Sequence, residues 1–241
     1  MLPNTSLVAE AQKSKAHLAM QHRLAGALLI AGPVIFLFAE FIAAAAWTNP
    51  PYSYTYHFIS NLGVRGPSTL FGQYMYSPLS WVMNTGFFLF GIVILAGIVM
   101  LRGLSGWRRW AELAFATLLA AGGILLALFP GSGEALENGS GDFHAAGAFA
   151  GFIGANMLAI TLGSMRRHVD FSSKIGKMLV AVGLIGLLST VFYLMVIFSS
   201  DDAVIGIVGL IERGAVHPFL IGLICAGASI QKQRFSCFRV D

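Results

Sequence analysis

Six runs of apolar residues, roughly 24–46, 81–101, 110–129, 144–165, 178–198 and 203–230, leave this chain few ways to fold. Each is about 20 residues long or more, enough to cross a ~30 Å hydrocarbon layer as an α-helix at ~1.5 Å per residue. A backbone in lipid must satisfy its own hydrogen bonds, which helices do within a single segment. The composition agrees: 56% of 241 residues are hydrophobic, 11% are charged, and the mean hydropathy is +0.75, far more apolar than a soluble domain of this length requires. The predicted fold class is all-α, a polytopic transmembrane bundle of six helices. Its parts are an N-terminal segment (1–23), a six-helix domain (24–230) and a tail (231–241). The first run reads as a span and not a signal peptide, because a largely polar segment precedes it and further spans follow.

Loop cations orient the bundle. Lys13, Lys15 and Arg23 precede span one, Arg102, Arg108 and Arg109 join spans two and three, and Arg166, Arg167, Lys174 and Lys177 join four and five. Lys232, Arg234 and Arg239 follow span six. The opposite loops carry Arg65 together with Glu134, Glu137, Asp142, Asp201 and Asp202. Both termini are therefore expected in the cytoplasm, with the chain a multi-pass protein of the plasma or inner membrane. The net charge of +4 reflects this topology and anionic headgroups, and no nucleic-acid partner is expected. Trp47, Tyr52, Tyr54, Tyr56, Tyr74, Tyr76 and Trp81 would mark the outer interface, with Trp107 and Trp110 at the inner one. Cys225 and Cys237 form no metal-ligand spacing, and no disulfide is expected. Gly147-x-x-x-Gly151 with Gly154, and Gly122-Gly123, offer small faces for close helix approach.

Polar residues within or against the apolar runs are the candidates for function. Glu212 and Arg213, with His217 and Pro218 a turn later, interrupt the sixth run. Counted from residue 203, the pair falls ~13–15 Å below the outer surface, near the bilayer middle, where charges are costly and need partners. Adjacent helix positions do not face each other, so the partners must come from other spans, Glu40 in span one first among them. Pro218 removes a backbone bond to Gly214 and leaves an acceptor beside the charges. Asn84 and Asn156 are further intramembrane polar groups.

The long outer segment is too polar for lipid and too aromatic for an ordinary loop, so it is expected to pack back onto the bundle. His57 and Ser60 would share a face if it were helical, with Asn61 beside them. Residues 68–80 read as a short interfacial helix. Asp142 suits the N-cap of span four, and His144 just inside that span could converge with His57. The glycine-rich run before it lacks the Gly-Lys-Ser/Thr ending of a phosphate-binding loop.

The order His57-x-x-Ser60-x-Leu62-Gly63, then Phe129-Pro130 closing span three, His144 opening span four, and Gly209-Leu210-Ile211-Glu212-Arg213 in span six resembles an uncharacterised six-helix membrane family, domain of unknown function 998, over about residues 20–230. The chain is more distantly similar to the Frag1/DRAM/Sfk1 membrane proteins, which implies a lipid-related or membrane-organising role at most. The family resemblance implies six spans and picks out His57, Ser60, His144, Glu212 and Arg213; it supplies no activity.

Three function classes fit these residues. One is a site that binds or modifies a lipid or lipid-linked headgroup from the outer side, with His57 or Glu212 as general base, Ser60 as nucleophile, and Asn61, His144, Arg213, His217 and Glu40 as ligand contacts. Another is a proton-coupled or small-solute transporter, or a scaffold, in which Glu212 and Arg213 act as a gating or structural pair; six short-looped spans suit a homo-oligomer. The last is a zinc-dependent membrane hydrolase using His57, His144 and His217, although His217 lies too deep to meet the other two and zinc sites need three converging ligands. No metal or other cofactor is predicted, and membrane lipids are the expected partners.

Overall fold

A computed structural model describes residues 5–198 and 206–237. Asp201, Asp202 and Arg239, which entered the charge argument, lie outside the described residues. Among the described residues there are six long helices: α1 (Thr5–Ala46), α2 (Ser80–Met100), α3 (Gly106–Leu128), α5 (Gly141–Ser164), α6 (Ser173–Ile197) and α7 (Val208–Cys237). Each is apolar and long enough to cross a membrane, which makes this an integral, multi-pass membrane protein of the all-α class. A further short helix, α4 (Gly133–Glu137), sits in the loop between α3 and α5. Helix α1 begins at Thr5, so the segment before residue 24 continues the helix of the first span. Both α1 and α7 run through an internal proline, Pro33 and Pro218.

The long helices form a closed ring in chain order. Each packs against its sequence neighbour, and α1 closes the ring against α7. Glycine sets the spacing. A methyl added at Gly122 would strike the backbone of Gly147 and Gly151, and one at Gly154 the backbone of Leu119, so α3 and α5 approach with no side chain between them. Asn156, fully buried, donates from Nδ2 to Phe152 O at 2.9 Å and to Ala215 O at 3.0 Å, tying α5 to α7. At the end of the ring where α1 begins and α7 ends, Leu29, Ile94, Ile98, Leu158 and Leu162 are fully buried and fill the interior.

Residues 47–79 fold over the opposite end as a cap, as their mixed polar and aromatic character requires. Ser60–Gly63 is a 3₁₀ turn, and Asn84 Nδ2 of α2 holds it by donating to Gly63 O at 3.0 Å. The interfacial helix expected over 68–80 is instead a hairpin, β1 (Ser68–Leu70) antiparallel to β2 (Gln73–Met75), with Leu70 opposite Gln73. The two residues between the strands, Phe71 and Gly72, both have positive φ, as a two-residue type I′ turn demands, and that turn converts the segment from helix to hairpin. Ser68 Oγ donates to Glu134 Oε2 at 2.7 Å and accepts from Gly133 N at 2.9 Å, which fastens the hairpin to α4. Trp47, expected at the interface, is instead only 2% exposed under the cap, whereas Trp81, Trp107 and Trp110 are exposed as interface residues should be.

The α3–α5 contact supplies a stability test. Gly122→Val is expected to lower stability in detergent by about 1–3 kcal/mol, because the backbone opposite cannot move aside. Gly151→Ala, where nothing lies within 4 Å of an added methyl, should leave the midpoint unchanged or slightly raised. Thermal unfolding of the two variants under one detergent condition checks the contrast, and equal losses would show that glycine does not set this spacing.

Candidate functional site

The residues singled out by sequence separate into three groups. Helix α7 begins at Val208, so Glu212 and Arg213 lie ~6–8 Å along it, beneath the cap and not near the middle of the bundle. The count from residue 203 overstated their depth because the chain at 206–207 is a turn. The two side chains leave the helix on different sides and enter different surroundings.

Arg213 makes a clamp. Its Nε and Nη2 reach Glu40 Oε1 of α1 at 3.0 and 2.9 Å, so the partner expected for it is the partner found. Nη1 donates to the carbonyls of Tyr54 (2.7 Å), Gly209 (3.0 Å) and His57 (3.1 Å), and Nη2 to Tyr52 Oη at 2.5 Å. The guanidinium also stands over the Tyr54 and Tyr52 rings, 4.7 and 5.6 Å from their centroids. Nε2 of His217 lies 2.8 Å from the other oxygen of Glu40. Every N–H of the guanidinium is engaged inside the protein, which leaves none for an incoming anion.

His57 and Asn61 belong to the cap. The His57 ring stacks on Tyr52 (5.2 Å between centroids) and lies against Trp47 (5.0 Å). Its Nδ1 accepts from Ser53 N at 2.9 Å, so the ring proton sits on Nε2. Burial, and then the positive charge of Arg213, lowers the His57 pKa from the ordinary imidazole value. Asn61 Nδ2 donates to Gln73 Oε1, and Gln73 Nε2 to Tyr56 O, both at 2.6 Å, which locks the 3₁₀ turn to the hairpin. His57 and Ser60 do not share a face, because the turn that carries Ser60 starts after His57 and points Ser60 into the bundle.

Ser60, His144 and Glu212 do come together, around a cavity of about 50 Å³ inside the ring. Phe36, Phe87, Phe90, Phe152 and Phe219 line most of it, with Tyr193 also at its wall. Glu212 Oε2 accepts from Ile59 N at 2.5 Å, while Oε1 has no protein partner among the described residues. The Ser60 hydroxyl likewise has none. His144 Nδ1 lies 2.8 Å from Phe129 O; a carbonyl only accepts, so Nδ1 carries the proton and Nε2 keeps its lone pair. His144 therefore lines the same cavity as Glu212 and Ser60, and His57 does not. Among the described residues no three of His, Cys, Asp and Glu gather as metal ligands would, and His57, His144 and His217 sit in three separate surroundings.

Sequence reasoning passed over two residues. Tyr193 joins the cavity wall from α6, packed against Phe58 and Phe152, and a single tyrosine in an apolar span carries no distinguishing signal. Glu112 is fully buried between α3 and α5, with neither oxygen hydrogen-bonded to a described residue; nearby Thr161 turns its hydroxyl to the Met157 and Leu158 carbonyls. In sequence it stands two residues into the predicted span 110–129, where a carboxylate reads as interfacial. Helix α3 in fact begins at Gly106, which draws Glu112 inside.

Residues 30–229 match the family described as "Protein of unknown function (DUF998)". The chain belongs to this family. No curated protein and no solved structure matches it, and nothing in these comparisons supports the more distant similarity to Frag1/DRAM/Sfk1 proteins. The family carries no assigned activity, so the geometry of this DUF998 member is the available guide to its chemistry.

Two outcomes are expected of the clamp and cap. Arg213→Met should cost about 3–5 kcal/mol, because Glu40 is left buried with His217 as its remaining partner, and combining it with Glu40→Gln should recover part of that loss. Folded yield and thermal midpoint of the two single variants and the double would show it; additive losses would exclude a coupled pair. The second outcome concerns pH. The pKa of His57 is lower folded than unfolded, so below about 6.5 the unfolded chain binds the proton first, and His57's contribution falls as pH drops toward its folded pKa. The midpoint should therefore fall between pH 7 and 5, and His57→Gln should flatten that slope. An unchanged slope in the variant would remove His57 as its source.

Proposed function

We propose that this protein binds the polar end of a membrane lipid or lipid-linked molecule in the ring cavity, entered from the cap end. One observation carries this reading: Glu212, Ser60 and His144 line one cavity, each with a polar atom that has no hydrogen-bond partner among the described residues, while phenylalanines form most of the remaining wall. Groups that keep unused capacity in an apolar interior are costly unless a ligand or water uses it. A cavity of about 50 Å³ takes a polar group and a few carbon atoms, so the proposed ligand is the end of a lipid and not its full length.

The chemistry of the lining narrows the class. Arg213 is saturated by protein partners, so an anionic group finds no free guanidinium. A carboxyl oxygen and an imidazole lone pair both accept, which favours a ligand that donates: a hydroxyl, an amine or an amide. Hydroxyl, imidazole and carboxyl are also the parts used in nucleophilic and acid–base catalysis, so the same site could modify what it binds. The apolar filling at the end of the ring away from the cap favours a one-sided site over a transport path. The excess of loop cations at the other end supports a cap on the outer side and entry from the outer leaflet.

Purified protein in detergent should be stabilised by a long-chain amine or alcohol and not by a fatty acid of the same length. The shift expected at about 100 times Kd is roughly 2.7 kcal/mol. Glu212→Gln should fold yet lose most of the response to the amine, with Ser60→Ala a milder second case. The proposal fails if no amphiphile stabilises the wild type, or if Glu212→Gln responds equally.

A further inference from the structure

We propose a second, separate binding site at the opposite end of the bundle, for an anionic phospholipid. A groove of about 790 Å³ opens there between the α5–α6 turn, the first turn of α6 and the last turns of α7. From α7 it takes Cys225, Ala228, Ser229 and Lys232, spaced as one face of a helix. Its rim carries two exposed cations, Arg167 and Lys232, with Ser172 and Ser229 adding hydroxyls.

Charge and shape together select the occupant. Asp170 is the acid in this lining, and it has an interaction of its own within the protein. Arg167 and Lys232 outnumber it and can meet a phosphate, with guanidinium and ammonium forming charge-assisted bonds. The floor, built of Phe171, Ile175 and Ala228, is apolar and runs onto the faces of two membrane helices. A soluble phosphate has no use for that floor, whereas the first carbons of an acyl chain lie along it. Small residues at 225, 228 and 229 leave the room. This end also bears the basic loops, the side on which anionic headgroups are drawn to a membrane protein.

The site shares no residue with the ring cavity, so its test is independent of the function proposed above. The protein is reconstituted in nanodiscs of equimolar phosphatidylcholine and phosphatidylglycerol, and retained lipids are counted by native mass spectrometry. Wild type should keep phosphatidylglycerol in preference. Arg167→Gln and Lys232→Gln should each lower that preference about fivefold, since a cation near a membrane surface contributes about 1 kcal/mol to anionic-lipid binding. Arg167→Lys and Lys232→Arg should retain most of it, which separates loss of charge from loss of fold. Lys174→Gln and Lys177→Gln, cations of the same end outside the groove lining, should leave it unchanged. Equal retention of the two lipids overturns the proposal. So does an equal loss in the Lys174 and Lys177 variants, which would mean a diffuse surface field, or displacement of the lipid by soluble glycerol phosphate, which would mean a site for free phosphate.

Discussion

The structure depends on one buried guanidinium. Arg213 joins three parts of the chain that are otherwise far apart: α7, on which it stands, α1 through Glu40, and the cap through Tyr52 and the Tyr54 and His57 carbonyls. A cation taken out of water is expensive, and the cost is met only where each N–H finds an acceptor. The cap supplies three of those acceptors, so cap and charge require each other. Without the cap the guanidinium would be stranded; without the guanidinium the carbonyls of a folded-back loop would lie buried and unpaired.

The position of Glu212 follows from that arrangement. Successive residues on a helix point about 100° apart, so with Arg213 aimed at α1 and the cap, its neighbour turns into the ring. The pinned cap then offers Ile59 N–H to the Glu212 carboxyl, and Ser60, next in the chain, enters the same cavity. His144 arrives from α5, its ring set by the Phe129 carbonyl where α3 ends. Two adjacent charged residues thereby do unlike work. One fixes the architecture, and the other is left with an oxygen that the architecture does not use.

The spans were readable because the requirement is local: about 20 apolar residues in a row, whatever surrounds them. The Arg213–Glu40 pair was readable because a buried cation demands an anion and few were available. Pairings among the histidines were not. His57 and His144 both fall near the cap end of the bundle, and spacing alone cannot say that one ring would be enclosed by Trp47 and Tyr52 while the other turned inward. The 68–75 hairpin was missed for a similar reason, since it depends on Phe71 holding positive φ, a conformation its residue type does not announce. Glu112 was obscured by a helix start that came earlier than the apolar run.

Buried polar groups elsewhere in the bundle show why the ring cavity differs. Thr161 and Thr190 return their hydroxyls to carbonyls of their own helices, and the Asn156 amide bridges two helices through its N–H groups, while its buried Oδ1 has no partner among the described residues. Glu112 lacks hydrogen bonds too, but its oxygens have no accessible surface, so no ligand can reach them without parting α3 from α5. Around the ring cavity the opposite holds. A glutamate, a serine and a histidine line one open space, each on a backbone held by other contacts. Packing alone does not require three acceptors from the cap, α5 and α7 to face the same space. The ligand proposed above, which donates hydrogen bonds, would use all three, whereas a polar residue that is merely tolerated stands alone.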